Sequence, residues 1–256
     1  MNRFTNYLLC SKRSFLSKFL TPTLTVAFIS VSFLSTAQTI TALSDGKLYA
    51  FDAQAPTLLI GTPITITGIT SGQALVGMDY RPNTGELIGL GYNSGTNAAR
   101  LYLINTTSGA ATAIGAADIT LTLGTGPVAF DFNPTVDRIR VMGSNNKNYR
   151  LNPISGGIAA TDLDLNYKAA DANFGKNPYI VTCAYTNSYI GSTATTLYDF
   201  HDSLNVFATQ VPPNDGVLNS LAGPTGITIN TSDRTSDMDI YYDRATSTNK
   251  AYFTAN

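Results

Sequence analysis

Residues 129–143 read Ala129-Phe130-Asp131-Phe132-Asn133-Pro134-Thr135-Val136-Asp137-Arg138-Ile139-Arg140-Val141-Met142-Gly143. Aromatic and β-branched side chains suit a pleated strand, while Asn, Pro and Asp punctuate turns. The stretch therefore reads as strand, turn, strand, with Asp131 embedded in the first strand. The same phrase occurs earlier as Val76-Gly77-Met78-Asp79-Tyr80-Arg81-Pro82, passing through Thr84-Gly85 to Leu87-Ile88-Gly89-Leu90-Gly91. A third copy, Val181 to Asn187, carries Ala184 where the others carry Asp. A fourth, Met238-Asp239-Ile240-Tyr241-Tyr242, runs on to Lys250-Ala251-Tyr252-Phe253. The aligned positions 79, 131, 184 and 239 are separated by 52, 53 and 55 residues.

A second unit lies between these copies. It is a strand with an early aromatic residue, closed by a polar turn and a return strand: Leu48–Asp52, Leu101–Asn105, Tyr149–Asn152 and Leu197–His201. Ser108-Gly109 and Ser155-Gly156 supply turn glycines able to adopt left-handed φ. Interleaved, the two units give four antiparallel strands per interval, the signature of an all-β fold, a β-propeller of four-stranded antiparallel blades. Counting strands, residues 39–67 supply the second to fourth strands of a first blade. Residues 75–122, 127–165 and 179–211 make full blades, and 237–256 make the first two strands of another. The count predicts a five-bladed ring that is incomplete at the C-terminus, with an open seam between its last and first blades.

The front of the chain reads differently. Residues 1–18 are polar with Arg3, Lys12, Arg13 and Lys18, an apolar stretch follows from Leu20 to Leu34, and Ser35-Thr36-Ala37 offers the small residues of a cleavage site. Residues 1–37 are thus expected to be a signal peptide cut before Gln38, and 38–256 a single C-terminally truncated propeller domain. The apolar stretch is short of the roughly 20 residues that span a bilayer. Secretion to the periplasm, cell envelope or exterior follows, with no membrane span after cleavage. The mature chain retains only Cys183, so it forms no internal disulfide. It carries twelve basic against seventeen acidic groups, a net charge of −5. Lacking a basic excess, it is a poor partner for nucleic acid. A single His and two Cys in the whole chain exclude zinc sites built from those residues.

The segments Leu75–Pro82, Phe130–Val141 and Pro212–Asn219, with Arg150-Leu151-Asn152-Pro153 and Asp171-Ala172-Asn173, resemble the bacterial domain-of-unknown-function family DUF4394. The resemblance runs from residue 39 to 256. It implies a propeller-like, secreted or envelope protein and supplies no mechanism.

Chemistry is sought first at Asp79, Asp131 and Asp239, which recur at one place on innermost strands. Those strands line a propeller's central channel, so the three carboxylates are expected to converge near the axis. Oxygen donors of this kind suit Ca²⁺, and paired carboxylates suit acid–base chemistry. The structural alternative gives each Asp backbone N–H bonds to accept at its blade's first turn. Two inserts, residues 162–178 and 212–230, do not fit the repeat. If both project from one face, Asp171, Asn173, Asn214 and Asp215 frame a polar pocket over the axis. His201 falls in the slot of Asp52, Asn105 and Asn152, where a polar side chain caps a turn. Cys183 reads as a buried small hydrophobe. No phosphate-cradling loop, nucleophile elbow or paired-histidine motif is present. The expectation is a binding module for an envelope or extracellular ligand or protein, with no resident cofactor beyond a possible Ca²⁺. The alternative is a Ca²⁺-assisted, lactonase-like hydrolase using the axial carboxylates.

Overall fold

The computed structural model describes residues 38–230 and 235–255. The expected signal peptide, residues 1–37, lies outside them. Four antiparallel sheets follow one another along the chain as the blades of a β-propeller, and among the described residues there is no α-helix. The first sheet contains β1 (Thr39–Ser44), β2 (Lys47–Asp52), β3 (Ala55–Leu59) and β4 (Ile64–Thr65). The second runs in the order β5 (Ala74–Tyr80), β6 (Leu87–Asn93), β7 (Ala98–Ile104) and β8 (Ala111–Thr120). The third repeats that order with β9 (Val128–Asn133), β10 (Arg138–Gly143), β11 (Asn148–Leu151) and β12 (Ile158–Thr161). The fourth comprises β14 (Ile180–Tyr185), β15 (Leu197–His201), β16 (Val206–Gln210) and β17 (Val217–Ser220), with a short β13 (Asn166–Tyr167) added parallel to β17 as its fifth, outermost strand. A hairpin of β18 (Ser236–Asp243) and β19 (Thr248–Ala255) follows.

Burial explains why strict apolar–polar alternation is missing from the middle strands. In β6, Leu87 to Tyr92 are all buried, because a neighbouring blade covers each face of the sheet. Ile88, Leu90 and Leu101 of the second sheet pack with Phe130, Phe132 and Val141 of the third. Met142 of the third packs with Cys183, Leu197 and Ala208 of the fourth. The fourth in turn meets the hairpin through Ala184, Met238 and Ile240, with Phe207 and Phe253 alongside. The outer strands β8 and β12 are mostly exposed, as solvent-facing edges should be.

Two strand assignments made from spacing need correction. Residues 187–196 hold no strand, so Leu197–His201 pairs directly with β14 as the second strand of its sheet, not the third. The fourth strand comes from inside the supposed insert, as β17, and the sheet ends at Ser220 rather than at residue 211. In the first sheet β3 and β4 both pair with β2, so they share one rank. The turn glycines behave as expected, with Gly109 at φ 75° and Gly156 at φ 73°. At Gly109 the requirement is double, since a Cβ would also stand 2.1 Å from the Thr65 carbonyl oxygen of the preceding sheet.

Candidate functional site

The inner edges of β5, β9 and β18, with β1 opposite, surround a central cavity of about 460 Å³. Asp79, Asp131 and Asp239 each project from the same place on β5, β9 and β18. Each offers a carboxylate oxygen, and these oxygens all lie within 4.8 Å of one another. The convergence anticipated from the repeat is what the fold produces. A strand alternates its faces with period two, so equal placement on neighbouring inner strands turns the same side chain to the axis three times.

Two of the three also hold the ring together. Asp79 Oδ2 accepts the Phe132 N–H at 3.0 Å, and its Oδ1 accepts the Tyr80 N–H at 2.6 Å. Asp131 Oδ2 accepts the Tyr185 N–H at 2.6 Å. Phe132 and Tyr185 belong to the next blade's inner strand, so these are blade-to-blade latches and not bonds within a blade's own first turn. Where Ala184 replaces the acid, Thr182 takes over. Its hydroxyl donates to Asp237 Oδ1 at 2.7 Å and accepts the Met238 N–H at 3.0 Å. Asp131 is buried, whereas Asp239 opens to the cavity.

Confinement makes these carboxylates reluctant to ionise together. Burial raises Asp79 to about 7, with the Asp239 charge adding to the rise, while bonds from Asp131, Phe132 and Tyr80 pull it back. Burial pushes Asp131 well above the ordinary carboxylate range, and the Asp79 and Asp239 charges add to it. Asp239 is also raised, first by burial. Either a proton or a cation relieves such repulsion. The donor set is all oxygen, which favours a hard cation over a thiolate- or imidazole-seeking metal. Oxygens bound to one Ca²⁺ at about 2.3–2.6 Å lie at most about 5 Å apart, and the observed spacing meets that limit. Three carboxylates leave several positions of a six- to eight-coordinate ion open to water or ligand.

The other four expected site residues go elsewhere. The two inserts do meet, through the parallel pairing of β13 with β17, but at the outer edge of the fourth sheet and not over the axis. Asp171 accepts the Ser220 N–H at 2.6 Å and its hydroxyl at 2.8 Å. Asn173 donates to Ser220 Oγ at 2.9 Å. Asn214 Oδ1 accepts from the Arg140 guanidinium at 2.9 Å. Asp215 sits in the short 3-10 turn Pro213–Asp215. Only Asp79, Asp131 and Asp239 of the expected set share a cavity.

Several polar residues that sequence reasoning passed over are central to the structure. Arg140 is 1% exposed and donates to Tyr185, Asn148, Asp162 and Asn214. Asp199, fully buried beside Cys183 in the β14–β15 register, has no hydrogen-bond partner for either carboxylate oxygen among the described residues, and burial raises it to about 8. Cys183 is the small buried residue expected of it, and burial pushes its thiol far up. His201 departs from expectation. Lying at the end of a second-rank strand, it has no counterpart in Asn105 or Asn152, which follow third-rank strands. Its side chain is buried, with Nδ1 at 2.7 Å from Tyr167 Oη. Among the described residues no helix is long and apolar enough to cross a membrane.

The family described as Domain of unknown function (DUF4394) matches residues 47–256. A search of the curated proteins finds no match. Among solved structures, the chain is similar to a structural genomics protein of unknown function from Bacteroides thetaiotaomicron, at 18% identity and a TM-score of 0.42, covering 77% of this chain and 47% of that one. It is also similar to regucalcin, a calcium-binding protein from Agrobacterium tumefaciens, at 15% identity and a TM-score of 0.40, covering 73% and 60%. The chain thus spans about half to three fifths of the length of these two. At that distance neither likeness bears on what it binds. The chain belongs to the DUF4394 family.

Proposed function

We propose that this member of the family is an exported binding module whose axial carboxylates, Asp79, Asp131 and Asp239, take up Ca²⁺ and through it an oxygen-bearing ligand entering the central cavity. The observation that carries the reading is the approach of three carboxylate oxygens from three different sheets to within 4.8 Å of one another. The protein supplies the charge and the fixed distance, and the ligand completes the coordination shell. Titration calorimetry with CaCl₂ tests it, with Asp239→Asn as the variant of choice. Asp239 opens to the cavity and, unlike Asp79 and Asp131, makes no hydrogen bond to a neighbouring sheet among the described residues, so its loss should leave the fold intact. Saturable binding by the wild type that is lost in the variant supports the site. Absence of binding at millimolar Ca²⁺ overturns it.

The same trio supports a second reading, a Ca²⁺-assisted hydrolase. A carboxyl at about 7 is in range for a general base near neutral pH. Lactone turnover that requires both Ca²⁺ and Asp79 distinguishes it from simple binding.

Two further parts of the proposal concern architecture and location. We infer that β18 and β19 begin a fifth blade, because β18 lies beside β14 as β14 lies beside β9 and carries Asp at the corresponding place. The ring would then have a seam beside β1, whose cavity-facing edge pairs with no other strand among the described residues. Small-angle scattering from the purified chain tests it through the profile of an open rather than a closed disc. Export is supported by the basic and then apolar front of the sequence. N-terminal sequencing of the secreted protein should begin at Gln38, and retention of Met1 would overturn that part.

A further inference from the structure

A second pocket, separate from the axial cavity, opens where the fourth sheet meets the loops before β9 and β14. It holds about 470 Å³ and is lined by Pro127, Asn177, Tyr179, His201, Asp202 and Ser203. Within it His201 Nε2 stands 2.9 Å from Ser203 Oγ, and the opposite ring nitrogen, Nδ1, stands 2.7 Å from Tyr167 Oη. The imidazole is 2% exposed and stacks nearly parallel to the Tyr167 ring, at 17° and 6.1 Å between centroids. Ser203 lies at the exposed end of this chain of groups. A hydroxyl, an imidazole and a buried group fixing the imidazole form the arrangement from which activated serine nucleophiles are built.

Turn capping is the simpler role for such a pair, and the protein shows what its turn caps look like. Asn93, Asn105 and Asn152 each accept the N–H groups two and three residues further on. His201 and Ser203 bond side chain to side chain instead, and the His201 ring runs inward to Tyr167. Donors for a developing oxyanion line the same pocket. Asn177 Oδ1 is held by Asn146 Nδ2, so the group Asn177 can offer the pocket is its amide N–H₂. Tyr179 also lines the pocket, and its hydroxyl stands beside Gly126, where a Cβ would be 2.5 Å from it.

We propose that Ser203 and His201 form an acyl-transfer site for small carboxylic esters, independent of the axial carboxylates. Ser203 Oγ bonds to the ester carbonyl carbon as its proton passes to His201 Nε2. The carbonyl oxygen becomes an oxyanion facing Asn177 and Tyr179. The ester C–O bond breaks, and the leaving alkoxide takes the proton from Nε2 and departs as the alcohol. Water then attacks the acyl-serine, giving its proton to Nε2, and Ser203 recovers that proton as the carboxylic acid leaves. The sum is ester plus water to acid plus alcohol. For this cycle His201 carries its resting proton on Nδ1, donated to Tyr167 Oη, which makes Tyr167 a positioning residue.

The test is labelling of the purified chain with an alkyl fluorophosphonate, read by intact-mass and peptide mass spectrometry. Attack by Ser203 forms an Oγ–P bond and expels fluoride. One adduct on the peptide carrying Ser203 is expected, absent from Ser203→Ala and unchanged by EGTA. Since Ser203 is exposed, that variant should keep its far-UV circular dichroism. Hydrolysis of p-nitrophenyl acetate should fall by about a hundredfold or more in Ser203→Ala. Tyr167→Phe should slow labelling and move its pH midpoint, an effect that loss of packing alone would not produce. No adduct on the wild type, or an adduct that persists in Ser203→Ala, overturns the proposal.

Discussion

Asp79 shows how one side chain serves both the ring and its site. It latches β5 to β9, yet burial raises its carboxyl to about 7 from an ordinary 3.8. An acid whose folded-state pKa is raised binds more protons folded than unfolded between those two values. Its contribution to stability is therefore fully present below pH 3.8 and lost as pH rises through about 7. In EGTA the melting temperature is expected to fall across that interval, and the slope to flatten in Asp79→Asn. Uptake of Ca²⁺ at pH 6 must displace protons, so its apparent enthalpy should vary with the ionisation enthalpy of the buffer. A buffer-independent enthalpy would show that the trio does not titrate as described. Arg140 is the complementary case, a buried cation in a fully bonded setting with Asp162 as its charge partner. Arg140→Met leaves Asp162 with Arg150 alone and strands Asn148 and Asn214. A loss of about 3–5 kcal/mol in urea unfolding is expected, as for breaking a buried ion pair. The trio was legible in the sequence because a repeat fixes both spacing and strand face. Arg140's partners were not, since Asn214 and Tyr185 come from different loops and strands that only folding brings together.

At the scale of elements, the sequence shows where strands lie better than which rank each takes. Leu197–His201 has the composition of the third-rank strands but sits second, because rank is set by what pairs with β14 and not by local residue preference. For the same reason the 212–230 insert hid β17, whose strand character comes from pairing with β16. The latches between inner strands were also invisible from composition. Thr182 is a plain β-former by sequence, but its hydroxyl is the polar tie between β14 and β18. Thr182→Val keeps the shape and removes both Thr182 bonds, leaving the Met238 N–H with Asp237 Oδ1 alone, at 2.9 Å. It should cost about 1–3 kcal/mol and accelerate amide exchange in Ser236–Asp243, with β6 and β10 unaffected. Uniform acceleration across all sheets would show that Thr182 acts on the whole fold and not on this joint.

Among the described residues each sheet packs its apolar side chains on the next in the chain, so stability is passed along it much as in other repeat architectures. The middle sheets are covered on both faces by the clusters joining the second sheet to the third and the third to the fourth. The ends have less. Leu48 of β2 packs onto the second sheet, but β3 leaves Leu58 67% and Leu59 52% exposed, and β19 is mostly exposed. Opening free energies should therefore be graded, lowest in β1–β4 and β18–β19 and highest in β6, β7, β10 and β14. The axial carboxylates add a test of that gradient, because a cation held by Asp79, Asp131 and Asp239 ties β18 directly to β5 and β9 without passing through β14. Hydrogen exchange followed by mass spectrometry is expected to show Ca²⁺ slowing exchange in β18, β5 and β9. β3, which carries none of the three carboxylates, should exchange at its original rate. Asp239→Asn should remove the effect in β18 and leave the gradient of the metal-free protein unchanged. Protection spread evenly over all sheets, or none at all, would mean that the ion does not bridge the blades through the axis.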